Sequence, residues 1–133
     1  MARKQDYLAA NKAWLASKAR QEGVMALSNG VYYKVLSAGE PSGAHPTPRS
    51  IITAHYTGTT INGKKFDSSL GGAPLACRLC DLIEGWIIAL QQMRVGDKWE
   101  IYIPAEMGYG RYSQPGIPGG STLIFQIELL GIA

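Results

Sequence analysis

The stretch Ile51-Ile-Thr-Ala-His-Tyr-Thr-Gly-Thr-Thr-Ile-Asn-Gly-Lys-Lys-Phe-Asp-Ser-Ser69 decides the fold class. Its first residues are β-branched and aromatic. Alternation sets Ile52, Ala54 and Tyr56 on one face and Ile51, Thr53 and His55 on the other, the pattern of a strand with one covered side. Asn62-Gly63 is the strongest hairpin signal in the chain, because the turns that match strand twist need positive φ, which Asn and Gly tolerate. It predicts a two-residue turn joining residues 59–61 to residues 64–66, and so an antiparallel pairing.

The neighbouring segments extend that sheet. Downstream, Asp81 and Glu84 match a capping box that opens a helix running to about Met93, with Ile83, Trp86, Ile87 and Leu90 as its apolar face and Gly96 past its end. Residues 98–103 follow as a strand with Trp99, Ile101 and Ile103 aligned. A loop rich in Gly and Pro covers 104–120, and a last strand over 122–130 aligns Leu123, Phe125, Ile127 and Leu129. Upstream, residues 31–36 read as a strand and 37–48 as a surface loop in which His45 has no special task. Strands joined by short turns plus one amphipathic helix give an α+β fold: a curved antiparallel β-sheet, a half-barrel, wrapped around one short helix.

Residues 5–22 read as a further helix stopped by Gly23, with Tyr7, Leu8, Trp14, Leu15 and Ala19 at helical spacing. Tyr7/Trp14 and Leu8/Leu15 are heptad pairs. The stripe therefore admits two readings, a helix laid on its own domain or a short seam for self-association, and the heptad pairs lean to the seam. The organisation expected is an amphipathic helix over 1–25 and one domain over 26–133, since 133 residues suit a single domain. A net charge of +3, spread thinly with Arg3-Lys4 and Lys64-Lys65 as its densest patches, does not describe a nucleic-acid surface. No apolar run approaches the roughly 20 residues of a membrane helix. The opening residues carry a basic pair without an apolar stretch behind it, so no secretory signal is read and a cytoplasmic location is expected. Cys77 and Cys80 form a C-x-x-C outside any strand-helix alternation, and are expected to be reduced thiols serving as small apolar residues.

The chemistry gathers around one acid. Tyr56, Phe66, Leu82, Ile83, Trp86, Tyr109 and Phe125 surround Asp67 on the expected strands, helix and loop, with no nucleophile paired to a base and no set of metal ligands. No cofactor is expected. An apolar pocket with a few hydrogen-bonding groups at its edge suits a reaction that twists a bond without breaking one. Taken singly, each of these apolar residues also reads as core. Asp67, before Ser68-Ser69, also reads as a turn start. Tyr109, between Gly108 and Gly110, reads as a lid contact. Rival readings are a non-catalytic binding module, a thiol redox protein using Cys77 and Cys80, and, least favoured, a hydrolase, for which no serine or cysteine sits on a strand-turn-helix elbow.

The strings His55-Tyr-Thr-Gly58, Asn62-Gly-Lys-Lys-Phe-Asp-Ser-Ser69, Leu82-Ile-Glu-Gly-Trp86, Met93-Arg-Val-Gly-Asp-Lys98, Gly108-Tyr-Gly110 and Leu123-Ile-Phe125 occur in one order. Together they resemble the FKBP-type peptidyl-prolyl isomerases, the immunophilins that bind tacrolimus and rapamycin, over residues 50–132. The preceding helix is similar to the bacterial branch related to the macrophage infectivity potentiator, in which N-terminal helices dimerise the protein, usually through a longer segment. The resemblance implies rotation about Xaa-Pro bonds as the activity. It implies proline-containing peptides, unfolded protein clients and tacrolimus- or rapamycin-type macrolides as partners, and a homodimer through the first helix. Trp86 would be the pocket floor, and Tyr56, Phe66, Leu82, Ile83 and Phe125 its walls. The Ile83 backbone N–H would hold a ligand carbonyl, with Asp67 and the Tyr109 hydroxyl at the rim. Three departures bear on substrate preference, macrolide affinity and rate. Leu75 and Cys77 stand near positions that are commonly aromatic. The segment 70–74 lacks an arginine. The loop 114–120 is one residue short, with Gln114 in place of a frequent histidine.

Overall fold

The computed structural model describes residues 3–133. Helix α1 (Arg3–Ala19) precedes strands β1 (Val24–Ala26), β2 (Tyr32–Ser37), β3 (Ile51–Thr59), β4 (Lys65–Ser68) and β5 (Leu75–Arg78); helix α2 (Glu84–Leu90) and strands β6 (Lys98–Ile103) and β7 (Leu123–Ile132) follow. The strands form one sheet in the order β1-β2-β6-β7-β3-β4, with β5 also paired to β3, and every pairing is antiparallel. The α+β half-barrel around a short helix is therefore the observed architecture.

Register explains the core. Ile101 lies opposite Phe125, Ile103 opposite Leu123, Tyr56 opposite Ile127 and Ala54 opposite Leu129. Because side chains alternate along a strand, these residues share the concave face, and α2 covers it with Trp86, Ala89 and Leu90, all buried. The helix comes so close that a Cβ at Gly85 would stand 2.5 Å from Ile103.

Local expectations fail in instructive places. The hairpin is longer than a two-residue turn: β3 ends at Thr59, β4 begins at Lys65, and Thr60 N–H bonds to the Lys64 carbonyl across the loop. Gly63 does take positive φ, but a register shift after Gly58 absorbs extra residues. The capping box at Asp81 does not form. Asp81 ends a 3-10 turn (Leu79–Asp81), Leu82 and Ile83 are extended, and α2 starts at Glu84 with no side-chain cap. The same helix stops at Leu90, short of Met93. β1 and β5 are strands that no sequence signal announced, and β1 straddles the boundary expected at residue 25.

Helix α1 ends at Ala19, three residues before Glu22, and Gly23 then takes a φ of 85°. Its stripe turns inward. Tyr7 bonds to Ser121, the Trp14 ring sits 5.9 Å from Tyr102, and Leu8 and Leu15 line a cleft against residues 104–106 and Thr122. The side chains read as a seam for a second copy are engaged with their own domain, because the convex side of the sheet there presents Tyr102 and Tyr32 and needs a cover.

Candidate functional site

A cleft of about 170 Å³ opens where the concave face meets the start of α2, and Tyr56, Phe66, Asp67, Leu75, Leu82, Ile83, Trp86, Tyr109 and Phe125 line it. All eight residues singled out from the sequence meet here. Leu75 joins them from β5, where it and Cys77 alternate inward, as the smaller wall that the resemblance implied at a commonly aromatic position.

The apolar part is a ring cluster with fixed geometry. Trp86, 3% exposed, forms the floor, edge-on to Tyr56 (centroids 5.2 Å apart, 84°) and to Phe125 (5.3 Å, 85°). Phe66 meets Phe125 edge-to-face at 5.5 Å. Such pairs are each worth about 0.5–1.5 kcal/mol beyond burial, so the walls are held before any ligand arrives. Gly58 makes room for them: a Cβ there would stand 2.6 Å from Phe66 and 2.7 Å from Phe125.

The polar part is small. The Tyr56 hydroxyl donates to Asp67 Oδ2 at 2.6 Å, which fixes the carboxylate at the exposed rim. Burial, and then the bond to Asp67, pushes the Tyr56 phenol up to about 12, so it remains a protonated donor at ordinary pH. The Ile83 N–H finds no acceptor among the described residues. This follows from the unformed capping box: an Asp81 cap with helical residues 82 and 83 would have pointed that N–H along the helix. Extended backbone at Leu82 and Ile83 sends their side chains into the cleft and leaves the amide available. Tyr109, 36% exposed, closes the rim from the 104–122 loop.

Other titratable groups are occupied elsewhere. His55 Nδ1 lies 2.9 Å from Ser69 Oγ, which also accepts the Tyr56 N–H at 2.8 Å. That serine anchors β3, and the pair sits outside the lining of the cleft. His45, expected to be idle, pins its loop through Nδ1 to the Met93 carbonyl at 2.9 Å while Arg94 donates to its Nε2. Cys77 and Cys80 are both free, but neither is buried: Cys77 is half-buried and Cys80 exposed, which corrects the expectation of small core residues. Burial, with Asp81 and Cys80 beside it, pushes the Cys77 thiol up, opposite to what a redox nucleophile needs. A wider cleft of about 300 Å³ separates α1 from the domain and contains none of the eight residues.

The comparisons with known proteins agree with this geometry. Residues 43–130 match the family described as FKBP-type peptidyl-prolyl cis-trans isomerase. The chain is 40% identical over 124 residues to the peptidyl-prolyl cis-trans isomerase Mip of Coxiella burnetii, covering 92% of this chain and 53% of that protein. It is 38% identical over 122 residues to the outer membrane protein MIP of Legionella longbeachae, covering 90% and 52%. Among solved structures, a peptidyl-prolyl cis-trans isomerase from Pseudomonas syringae pv. tomato superposes with a TM-score of 0.89 at 32% identity, covering 97% of this chain and 95% of that one. The chain spans about half the length of the curated relatives it matches. Sheet, cleft and family match coincide over well more than half of its residues, and the chain belongs to the FKBP-type peptidyl-prolyl cis-trans isomerases.

Proposed function

We propose that the cleft binds a proline ring over Trp86 and accelerates rotation of the Xaa-Pro bond by favouring the half-rotated amide. Rotation costs ~18–20 kcal/mol because carbonyl resonance must be broken, while the two X-Pro isomers differ by only about 0.5–1 kcal/mol. The obstacle is thus kinetic. The twisted amide has lost conjugation and is less polar than either planar form, so an apolar, water-poor cleft stabilises it relative to both ground states. The free Ile83 N–H is placed to hold a substrate carbonyl on one side of the bond while the other side turns, and Asp67 and Tyr109 supply polar contacts at the rim. No bond to the substrate forms, and no proton leaves it. Each ~1.36 kcal/mol removed from the barrier is a tenfold gain in rate.

One observation carries this reading: an aromatic box with the Ile83 N–H unpaired at its wall among the described residues, and Asp67 already pinned by Tyr56. The test is the cis-to-trans relaxation of an Xaa-Pro peptide in a protease-coupled assay. Acceleration supports an enzyme; an untouched slow phase would identify a binding module.

Proline-containing peptides and unfolded chains are the partners this cleft suits, in the domain taken as 26–133 with residues 1–25 as its extension. Macrolides of the tacrolimus and rapamycin type belong to the same proposal, checked by inhibition of the assay. Of the two readings of the first helix, packing of Tyr7, Leu8 and Trp14 on their own domain favours the laid-down helix over the dimer seam; solution mass separates them. The relatives lend nothing to a cytoplasmic placement, since one is an outer membrane protein by name. No helix among the described residues is long and apolar enough to cross a membrane.

A further inference from the structure

Helix α1 lies outside the residues matched to the family, yet it is bonded to the loop that carries Tyr109. Asn11 is the centre of that contact and is 2% exposed. Its Oδ1 accepts the Thr122 N–H at 2.8 Å, its Nδ2 donates to the Tyr7 carbonyl at 2.8 Å, and its own carbonyl accepts the Thr122 hydroxyl at 3.4 Å. One turn earlier, the Tyr7 hydroxyl meets Ser121 Oγ at 2.7 Å, and Ser121 donates onward to the Pro118 carbonyl at 2.6 Å. Leu8 packs on Gly120, which takes a φ of 82° and leaves, by lacking a Cβ, the space that the Leu8 side chain fills. Gly120 N–H in turn donates to the Gly110 carbonyl at 2.8 Å, and Gly110 N–H to the Ala105 carbonyl at 2.7 Å.

These bonds form a short path. Asn11 fixes residue 122, Gly120 ties that end of the loop to Gly110, and Gly110 is the peptide next to Tyr109. The loop is rich in Gly and Pro, and Tyr109 stands between two glycines, so its backbone has wide intrinsic freedom and is held by bonds: Gly108 and Gly110 N–H to the Ala105 carbonyl, Tyr112 N–H to the Tyr109 carbonyl, and Gly120 N–H to the Gly110 carbonyl. A rim group acts in a transition state only if its position is set beforehand, because ordering it during the reaction spends conformational entropy.

We propose that Asn11 is a positioning residue: through Thr122 and the Gly120–Gly110 bond it holds Tyr109 at the rim of the prolyl cleft. The first helix is then part of the working isomerase, and no second copy is needed for that role. The proposal rests on the isomerase reading of the cleft.

The test compares the wild-type chain, Asn11→Ala, Tyr109→Ala and the double variant, measuring kcat/KM on an Xaa-Pro peptide and amide hydrogen exchange by NMR. Asn11→Ala is expected to lower kcat/KM about three- to tenfold, the scale of one buried hydrogen bond. It should speed exchange at Gly120 while leaving Ile101 and Ile127 protected. In the Tyr109→Ala background the Asn11 change should cost nothing further. Additive losses, or a freed Gly120 amide with undiminished activity, or Gly120 exchange unchanged by Asn11→Ala, would each overturn the proposal. If Asn11→Ala does not fold, Tyr7→Phe removes only the hydroxyl bonded to Ser121 and gives the same comparison. A wild-type chain without activity would remove the isomerase reading and the catalytic half of this one, while the exchange data still decide whether the tether exists.

Discussion

Gly58→Ala is the sharpest probe of the ring cluster. Gly58 sits in β3 between Asp67 of β4 and Phe125 of β7. Its new methyl would stand 2.6 Å from Phe66 Cζ and 2.7 Å from Phe125 Cε1. Carbon atoms rest best at about 3.5–4.0 Å, so a ring must retreat by roughly 1 Å. Phe125 is buried and enclosed by Trp86, Tyr56 and Phe66, which leaves the half-buried Phe66 as the ring that moves. Overpacking of this kind costs about 1–3 kcal/mol. In a domain of this size each kcal/mol lowers Tm by roughly 3–5 °C. Because Phe66 is a wall of the cleft, a loss of ~1.4 kcal/mol in transition-state contact would reduce kcat/KM tenfold. The protease-coupled assay and thermal unfolding by circular dichroism measure the two effects. Gly72→Ala serves as control, since its nearest neighbour would be 3.8 Å away and ordinary. Wild-type Tm and kcat/KM in Gly58→Ala would refute the packing argument and the placement of Phe66 as a wall.

Three further outcomes follow from the same geometry. Tyr56→Phe frees Asp67 and should lower kcat/KM by roughly two- to fivefold, with stability changed by under about 1 kcal/mol because the bond lies at an open rim; an unaltered rate would show that pinning Asp67 is irrelevant. Stability should also fall at alkaline pH. The folded Tyr56 phenol titrates at about 12 against an unfolded value of 10.0, so its contribution is whole below pH 10 and is lost as pH rises toward 12. Discounted for solvent at the rim it amounts to ~1 kcal/mol, read as the difference between wild type and Tyr56→Phe in urea unfolding at pH 8 and near pH 11.5. Iodoacetamide should label the exposed Cys80 faster than Cys77, whose thiol is pushed up by burial; peptide mapping would expose the reverse order.

How much of the site could be read in advance depended on the kind of signal. Strand alternation around Tyr56, Trp99 and Phe125 predicted correct faces, since a period of two leaves a residue only two sides to occupy. Asp81 and Glu84 satisfied a local capping rule that the fold overrode. Burying Leu82 and Ile83 against the cleft demanded extended backbone, and a few apolar contacts outweigh one exposed cap of about 1 kcal/mol. Leu75 was legible through the resemblance and not through local pattern, because the four-residue strand β5 owes its conformation to β3 more than to its own composition.

Taken by itself, the order of residues determined the longer strands of the sheet, the covering helix and which side chains could face a common hollow, because those follow from periodicity and from motifs in series. Only the tertiary structure decided that the apolar stripe of α1 covers its own domain, that Asn11 reaches Thr122, and that the Ile83 amide finds no partner among the described residues. Each of these depends on which surface lies within bonding distance of a group, and separations such as the 111 residues between Asn11 and Thr122 leave no trace in local pattern.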